Sequence, residues 1–169
     1  MGVLKRDYGR VQNWRNNAIA DLVAQLTKLG KEACKYAVER RGYTHRKKNL
    51  RDSIGSAVYV DGKLVESSKR FAFSKSSTGT YQDRGDGGTG EWIEGRDALN
   101  RYWDEHKTLE NARNTVELVV VAGVFYSGIL EDKGYQVISA ATDYLESQMG
   151  TYKSYKPKMR AYADQVSFI

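Results

Sequence analysis

A chain of 169 residues, 40% hydrophobic and 28% charged, fits a single domain with a sizeable core. Its net charge of +6 and pI near 9.3 suit a polyanionic or acidic neighbour without naming one. No apolar run approaches the ~18 residues of a membrane span, Met1–Tyr8 lacks a signal-peptide core, and one cysteine excludes an internal disulfide.

The first element is a long amphipathic helix from Trp14 to about Arg41. Its apolar residues fall at Trp14, Ala18, Ile19, Leu22, Val23, Leu26, Leu29, Ala33, Tyr36 and Ala37, in steps of three and four. Gly30 interrupts it at about 1 kcal/mol relative to alanine. Gly42 is placed to cap its end, and Arg40 and Arg41 suit the negative end of the helix dipole. Cys34, between Ala33 and Lys35 on this helix, reads as a small buried hydrophobe. Residues 1–12 form an N-terminal segment before the helix.

A basic connector follows, with Arg40, Arg41, Arg46, Lys47, Lys48 and Arg51. It leads into the β-branched run Ser53–Val60. Asp61-Gly62, which favours a type I′ turn, joins that run to Lys63–Glu66 in a hairpin. Arg70–Ser74 alternates like a further strand. Residues 75–95 are rich in Gly, Ser, Thr and Asp and are expected to be a long flexible loop. Asp97 is then placed to cap a short helix with Ala98, Leu99, Tyr102 and Trp103 on one face.

Val116–Ala122 is almost continuously apolar, as a strand covered on both faces requires. A brief helical turn is expected within Val124–Asp132. Ile138, Ala141, Leu145 and Met149 return to helical spacing, and 150–169 is a Tyr/Lys-rich C-terminal arm. The order implies a single α+β domain over 1–169. It has an antiparallel sheet of about four strands, with the long N-terminal helix and a C-terminal helix packed on one face and a long extended loop between strands.

Catalytic and metal chemistry find little support. Gly85-Asp86-Gly87-Gly88-Thr89-Gly90 fits G-x-G-x-x-G, but no buried strand leads into it and acidic residues surround it. Aligned as a calcium loop from Asp83 to Glu94, it carries glycines at positions three and five, where carboxylates belong. His45 and His106 have no metal-ligand spacing and read as solvated side chains. The chain is therefore expected to be non-enzymatic, with no cofactor. Its basic connector is a mobile solvated loop or a charge-driven contact for DNA or an acidic protein. Twelve tyrosines suit protein contact surfaces.

Three segments carry a resemblance. Thr44, then Asn49-Leu50-Arg51-Asp52-Ser53-Ile54-Gly55 before the Asp61-Gly62 hairpin, resembles the "T…NLRxSI" entry of phage tail-completion proteins. These are small neck proteins that join head to tail in tailed phages and prophages. Gly95-Arg96-Asp97-Ala98-Leu99 is similar to the start of their short helix. Val119–Tyr126, with Leu130-Glu131 and Gly134–Ile138, resembles their "VVAGxxYAxxxE…GYxVL" block, save that Ser127-Gly128 stands where alanine and a bulky residue are usual. The matched segments lie in the family's order within residues 10–149.

The resemblance implies a virion protein, assembled in the host cytoplasm, that forms a homo-oligomeric ring at the neck. Its implied partners are the connector or stopper ring, and the tail terminator or tail tube, with no membrane. DNA crossing the lumen would be met by non-specific phosphate contacts only. Tyr81, Trp92, Tyr152, Tyr155 and Tyr162 are candidate interface anchors, beside the basic residues Arg40, Arg41, Arg46, Lys47, Lys48 and Arg51. The alternative is a small basic nucleic-acid-binding protein acting through residues 40–51.

Overall fold

The computed structural model describes residues 2–40, 49–68, 79–84, 90–110, 112–149 and 162–168; for 2–9 and 162–168 it describes the backbone. The fold is α+β. A four-stranded antiparallel sheet has the order β2-β1-β5-β6, from β1 (Ile54–Val60), β2 (Lys63–Ser67), β5 (Val116–Ala122) and β6 (Tyr162–Phe168). A separate ribbon pairs β3 (Tyr81–Gln82) with β4 (Trp92–Ile93). The helices are α1 (Gly2–Glu39), α2 (Asn49–Asp52), α3 (Gly95–Glu105), α4 (Tyr126–Asp132) and α5 (Ser139–Met149).

The hairpin forms as its sequence requires. Asp61 and Gly62 both hold positive φ, 50° and 74°, the pair of left-handed residues that a type I′ turn demands. Val60 pairs with Lys63 across it. Gly62 is further constrained by the connector after α3, because Leu109 donates its N–H to the Gly62 carbonyl at 2.7 Å.

β5 organises the core. All seven of its residues are buried, and its alternation divides the six apolar ones between two apolar clusters, while buried Glu117 accepts the Thr115 hydroxyl at 2.9 Å. Val116, Leu118, Val120 and Ala122 join α1 and α5 residues, including Leu26, Ala33, Ala37, Ala141 and Leu145. Val119 and Val121 join Ala57, Tyr59, Leu99, Tyr102 and Trp103 on the other side. α1 and α5 therefore share one face of the sheet, as expected, and the opposite face is covered by α3. Its apolar stripe is the one read from the sequence, but such a stripe records that a face is buried and not which side of a sheet buries it.

α1 crosses its face of the sheet closely at Gly30. A Cβ there would lie 2.7 Å from Ser56 Oγ and 2.8 Å from Leu118 Cδ1. The apparent flaw in the helix is thus the point where it approaches β1 and β5. α5 packs beside α1, with the rings of Tyr36 and Tyr144 5.1 Å apart. The Tyr144 hydroxyl donates to Glu32 at 3.1 Å.

Several boundaries differ from expectation. α1 begins at Gly2, so residues 2–12 belong to the helix, and it ends at Glu39 without basic residues in its last turn. Gly42 and Arg70–Ser74 lie outside the described residues. Glu94 occupies the N-cap of α3 without a side-chain cap bond, and Asp97 sits within the first turn. The segment 75–95 contains the β3–β4 ribbon, so its described part is not an extended loop; strands of two residues leave no alternation to read. Likewise 150–169 is not simply an arm, since β6 pairs in register with β5 from Ala122↔Tyr162 to Val116↔Phe168.

Candidate functional site

The three segments that carry the resemblance meet at the Ile54/Ala122 end of the sheet. Buried Asn49 accepts the Gly95 N–H on its Oδ1 at 3.2 Å. Gly95 lies so close to the Asn49 backbone that a Cβ would fall 1.9 Å from its carbonyl oxygen. Gly123 donates to the Ser53 carbonyl at 2.9 Å, and a Cβ on it would meet Leu99 N and Cα at 2.8 Å. Ser127, at the position where the family pattern has alanine, is fully buried, and its hydroxyl donates to the Val124 carbonyl at 2.8 Å. A hydroxyl satisfied by its own backbone fits such a place without strain.

Glu131 completes this junction. Its Oε1 accepts the N–H groups of Val137 and Ser139, each at 2.9 Å, and that of Ile138 between them. Its Oε2 accepts the Ser139 hydroxyl at 3.1 Å. The carboxylate thereby caps the N-terminus of α5 from the preceding helix, where partial positive charge gathers. Gly134, at φ +83°, turns the chain between them. Asn49, Gly95, Gly123 and Glu131 position backbone, so these residues of the three segments hold the fold.

The charged candidates separate. Arg40 is exposed, with its guanidinium 5.2 Å from the centre of the Tyr36 ring. Arg41, Arg46, Lys47 and Lys48 lie outside the described residues. Arg51 departs from the expected phosphate-facing role: its side chain is 13% exposed and bridges Asp52 at 2.7 Å. The adjacent acid neutralises it locally.

The aromatic candidates separate too. Tyr81 is not a free anchor; its ring packs against Phe125 and Tyr126, with centroids 6.1 and 5.4 Å away. Trp92 alternates with buried Ile93 on β4 and is 64% exposed. Tyr152 and Tyr155 are outside the described residues, and Tyr162 stands opposite Ala122 in β6.

Sequence reasoning missed Trp14 as a surface residue, because helical spacing placed it on the core stripe. It is 73% exposed and Val11 is 63% exposed. α1 crosses the sheet from Leu22, near Val60 and Val116, to Val38, so its N-terminal half continues past the hairpin end. A cavity of about 230 Å³ opens there, lined by Trp14, Ile19, Leu22, Val60 and Val116.

Among the described residues no three His, Cys, Asp or Glu side chains gather to hold a metal ion. Asp83, first position of the calcium alignment, is buried and bridges Arg101 at 3.2 Å. His45 lies outside the described residues. His106 is half-buried rather than solvated, stacked 4.1 Å from the Tyr102 ring. Cys34 is fully buried, and desolvation pushes its thiol up to about 12, as the small-hydrophobe reading expects.

Burial likewise raises the phenols of Tyr102 and Tyr126 from 10.0 to about 12. It also raises that of Tyr59, whose hydroxyl donates to the His106 carbonyl at 2.6 Å. A raised folded-state value means that unfolded tyrosines ionise first as pH rises. Stability is therefore expected to begin falling near pH 9, where the Cys34 thiol ionises in the unfolded chain, and to fall more steeply from pH 10 to 12 as the phenols join it, by at most about 1.4 kcal/mol per pH unit for each group. Urea midpoints measured at pH 8, 10 and 11.5, with tyrosinate absorbance alongside, check this; a flat midpoint would contradict it.

Comparison with family models, with curated proteins and with solved structures gave no match. Among the described residues no helix is long and apolar enough to cross a membrane.

Proposed function

We propose that this chain is a structural virion protein of a tailed phage, a tail-completion or head–tail joining component that forms a ring at the neck. The family assignment rests on the ordered sequence blocks. The observation that carries the assembly reading is the exposure of two tryptophans at opposite ends of the sheet. Trp14 stands on the α1 arm beyond the hairpin end, and Trp92 on the ribbon at the Ile54/Ala122 end. A head-to-tail ring needs two different patches on each subunit, and exposed tryptophans are strong interface anchors.

On this reading the protein acts by docking and performs no chemistry. One rim of the ring meets the connector or stopper and the other meets the tail terminator or tube, with lumen DNA touched only through phosphates. The nucleic-acid alternative is weakened by Arg51, whose charge is already paired with Asp52.

Electron microscopy of the purified protein and of virions tests the proposal. Closed rings and a neck location are the expected result, and a protein that remains monomeric and is missing from virions would sink it. Salt tests the alternative: affinity for DNA that dominates function should drop steeply between about 50 and 200 mM, whereas rings should persist.

A further inference from the structure

The two seams that border β5 differ in strength. On one side β1 sets Ala57, Val58 and Val60 against Val119, Leu118 and Val116. On the other, β6 sets Asp164, Gln165 and Ser167 against Val120, Val119 and Glu117. Apolar cross-strand pairs hold a sheet together better than these mixed ones do. Among the described strands β6 borders β5 alone. The opposite edge of the sheet is secured by the connector after α3. There Leu64 of β2 donates its N–H to the Lys107 carbonyl at 2.9 Å, and Lys63 bridges Thr108.

Glu117 lies on the weaker seam and weakens it further. The residue is 5% exposed, and its Oε1 accepts the Thr115 hydroxyl. Its Oε2 is buried without a hydrogen-bond partner. A buried polar atom left unpaired costs free energy that contact with water restores. Glu117 stands opposite Ser167 in register, so departure of β6 brings water to the carboxyl group and offsets part of the lost pairing. Strands joined this way open locally, before the sheet as a whole unfolds.

The edge of β5 that such opening bares has a defined fit. It takes a strand along its whole length, from Val116 to Ala122, and the segment seen to match it is β6. Every other copy of the chain carries the same segment. Residues 150–161 join β6 to α5, and twelve residues span at most ~40 Å. That is about the width of a compact domain of this size, which leaves an adjacent copy within reach.

We propose that β6 is an exchangeable strand, which on assembly leaves its own β5 and pairs in the same register on the β5 of a second copy. The proposal rests on the ring reading and names the tie between neighbours. Donated strand and accepting edge are different surfaces, so exchange in one direction is heterologous and closes into a ring. The exchanged seam repeats the one within a single copy. No further complementarity has to be built for it, which is why such swaps are a low-cost route to oligomers.

Cysteines set across the seam report whose strand is present. Opposed residues of an antiparallel pair lie ~4.5–5.5 Å apart between Cα atoms, within reach of a disulfide. Full-length chains carrying Glu117→Cys alone and Ser167→Cys alone are mixed, assembled and oxidised, while native Cys34 is buried. Disulfide-linked pairs are expected about tenfold above the yield from either variant by itself. A chain with both substitutions is expected to give a covalent ladder longer than two chains on a denaturing, non-reducing gel. Val119→Cys with Gln165→Cys repeats the measurement two residues along, and circular dichroism checks that every variant is folded. Glu117→Met, which removes the unpaired oxygen at similar volume, is expected to slow amide exchange in β6 about tenfold.

Rings in which both double-cysteine chains link only within themselves would overturn the exchange while leaving the ring reading intact. Linked pairs and ladders without closed rings in electron micrographs would uphold the exchange and overturn the ring. Unchanged β6 amide exchange in Glu117→Met would overturn the part given to Glu117. A chain that forms no linked pairs, remains monomeric and is missing from virions would overturn both readings.

Discussion

Replacing Gly95 with alanine is expected to cost about 3 kcal/mol or more, a large part of the ~5–15 kcal/mol by which most domains are stable. The added Cβ would lie 1.9 Å from the Asn49 carbonyl oxygen and 2.6 Å from its carbon. These are backbone atoms, so no rotamer change relieves the clash. α2 and α3 must separate, and the hydrogen bond from Gly95 N–H to Asn49 Oδ1 is lost with them. Gly90→Ala supplies the comparison. Gly90 has φ +72° with no described atom within 4 Å of its missing Cβ, so the left-handed backbone penalty of about 1–2 kcal/mol is the expected cost. Urea unfolding of the two variants measures the difference, and equal losses would mean that the close approach at Gly95 carries no weight.

Removing the Glu131 carboxylate is expected to have the next largest effect, about 2–4 kcal/mol for Glu131→Ala. Three backbone N–H groups and the Ser139 hydroxyl lose their acceptor together. They sit at the start of α5, whose Ala141 and Leu145 belong to the core shared with α1. Glu131→Gln retains an acceptor oxygen while losing the charge, and is expected to recover about half the loss. Amide exchange should quicken first in α5, before the sheet, because the cap holds that helix locally. Loss of protection spread evenly over β1 and β5 would contradict this role.

These two residues show what was legible in the sequence and what was not. The hairpin and the central strand were legible because each is set by local chemistry. Asp61-Gly62 determines its own turn, and Val116–Ala122 is apolar at every position but Glu117 because both faces are buried. The glycine and the acid of the matched blocks were visible as pattern, but their purpose was hidden. Gly95 answers to a backbone atom of Asn49, far away in sequence. Glu131 caps a helix that begins eight positions later, outside the spacing of a capping box.

The candidate surfaces were harder still. Tyr81 and Trp92 looked alike as aromatic residues in a polar stretch, and only the pairing of β3 with β4 sends one inward and the other out. Trp14 satisfied the helical period and so read as core, although the sheet ends at Leu22. A periodic stripe states that a helix has an apolar side and leaves unsaid where its partner stops. β6 was obscured for the opposite reason: polar residues such as Asp164 and Gln165 interrupt the alternation that would mark a strand.

The length of α1 also governs how the protein behaves in solution. A helix of 38 residues extends about 57 Å, whereas a compact domain of this length, with a radius of gyration of about 15 Å, is only about 40 Å across. A single copy therefore drags more water than its mass implies and elutes early in gel filtration, at the volume of a larger globular protein. Elution volume alone would overstate its mass. Scattered light intensity depends on mass rather than drag, and it separates a lone long molecule from a genuine pair.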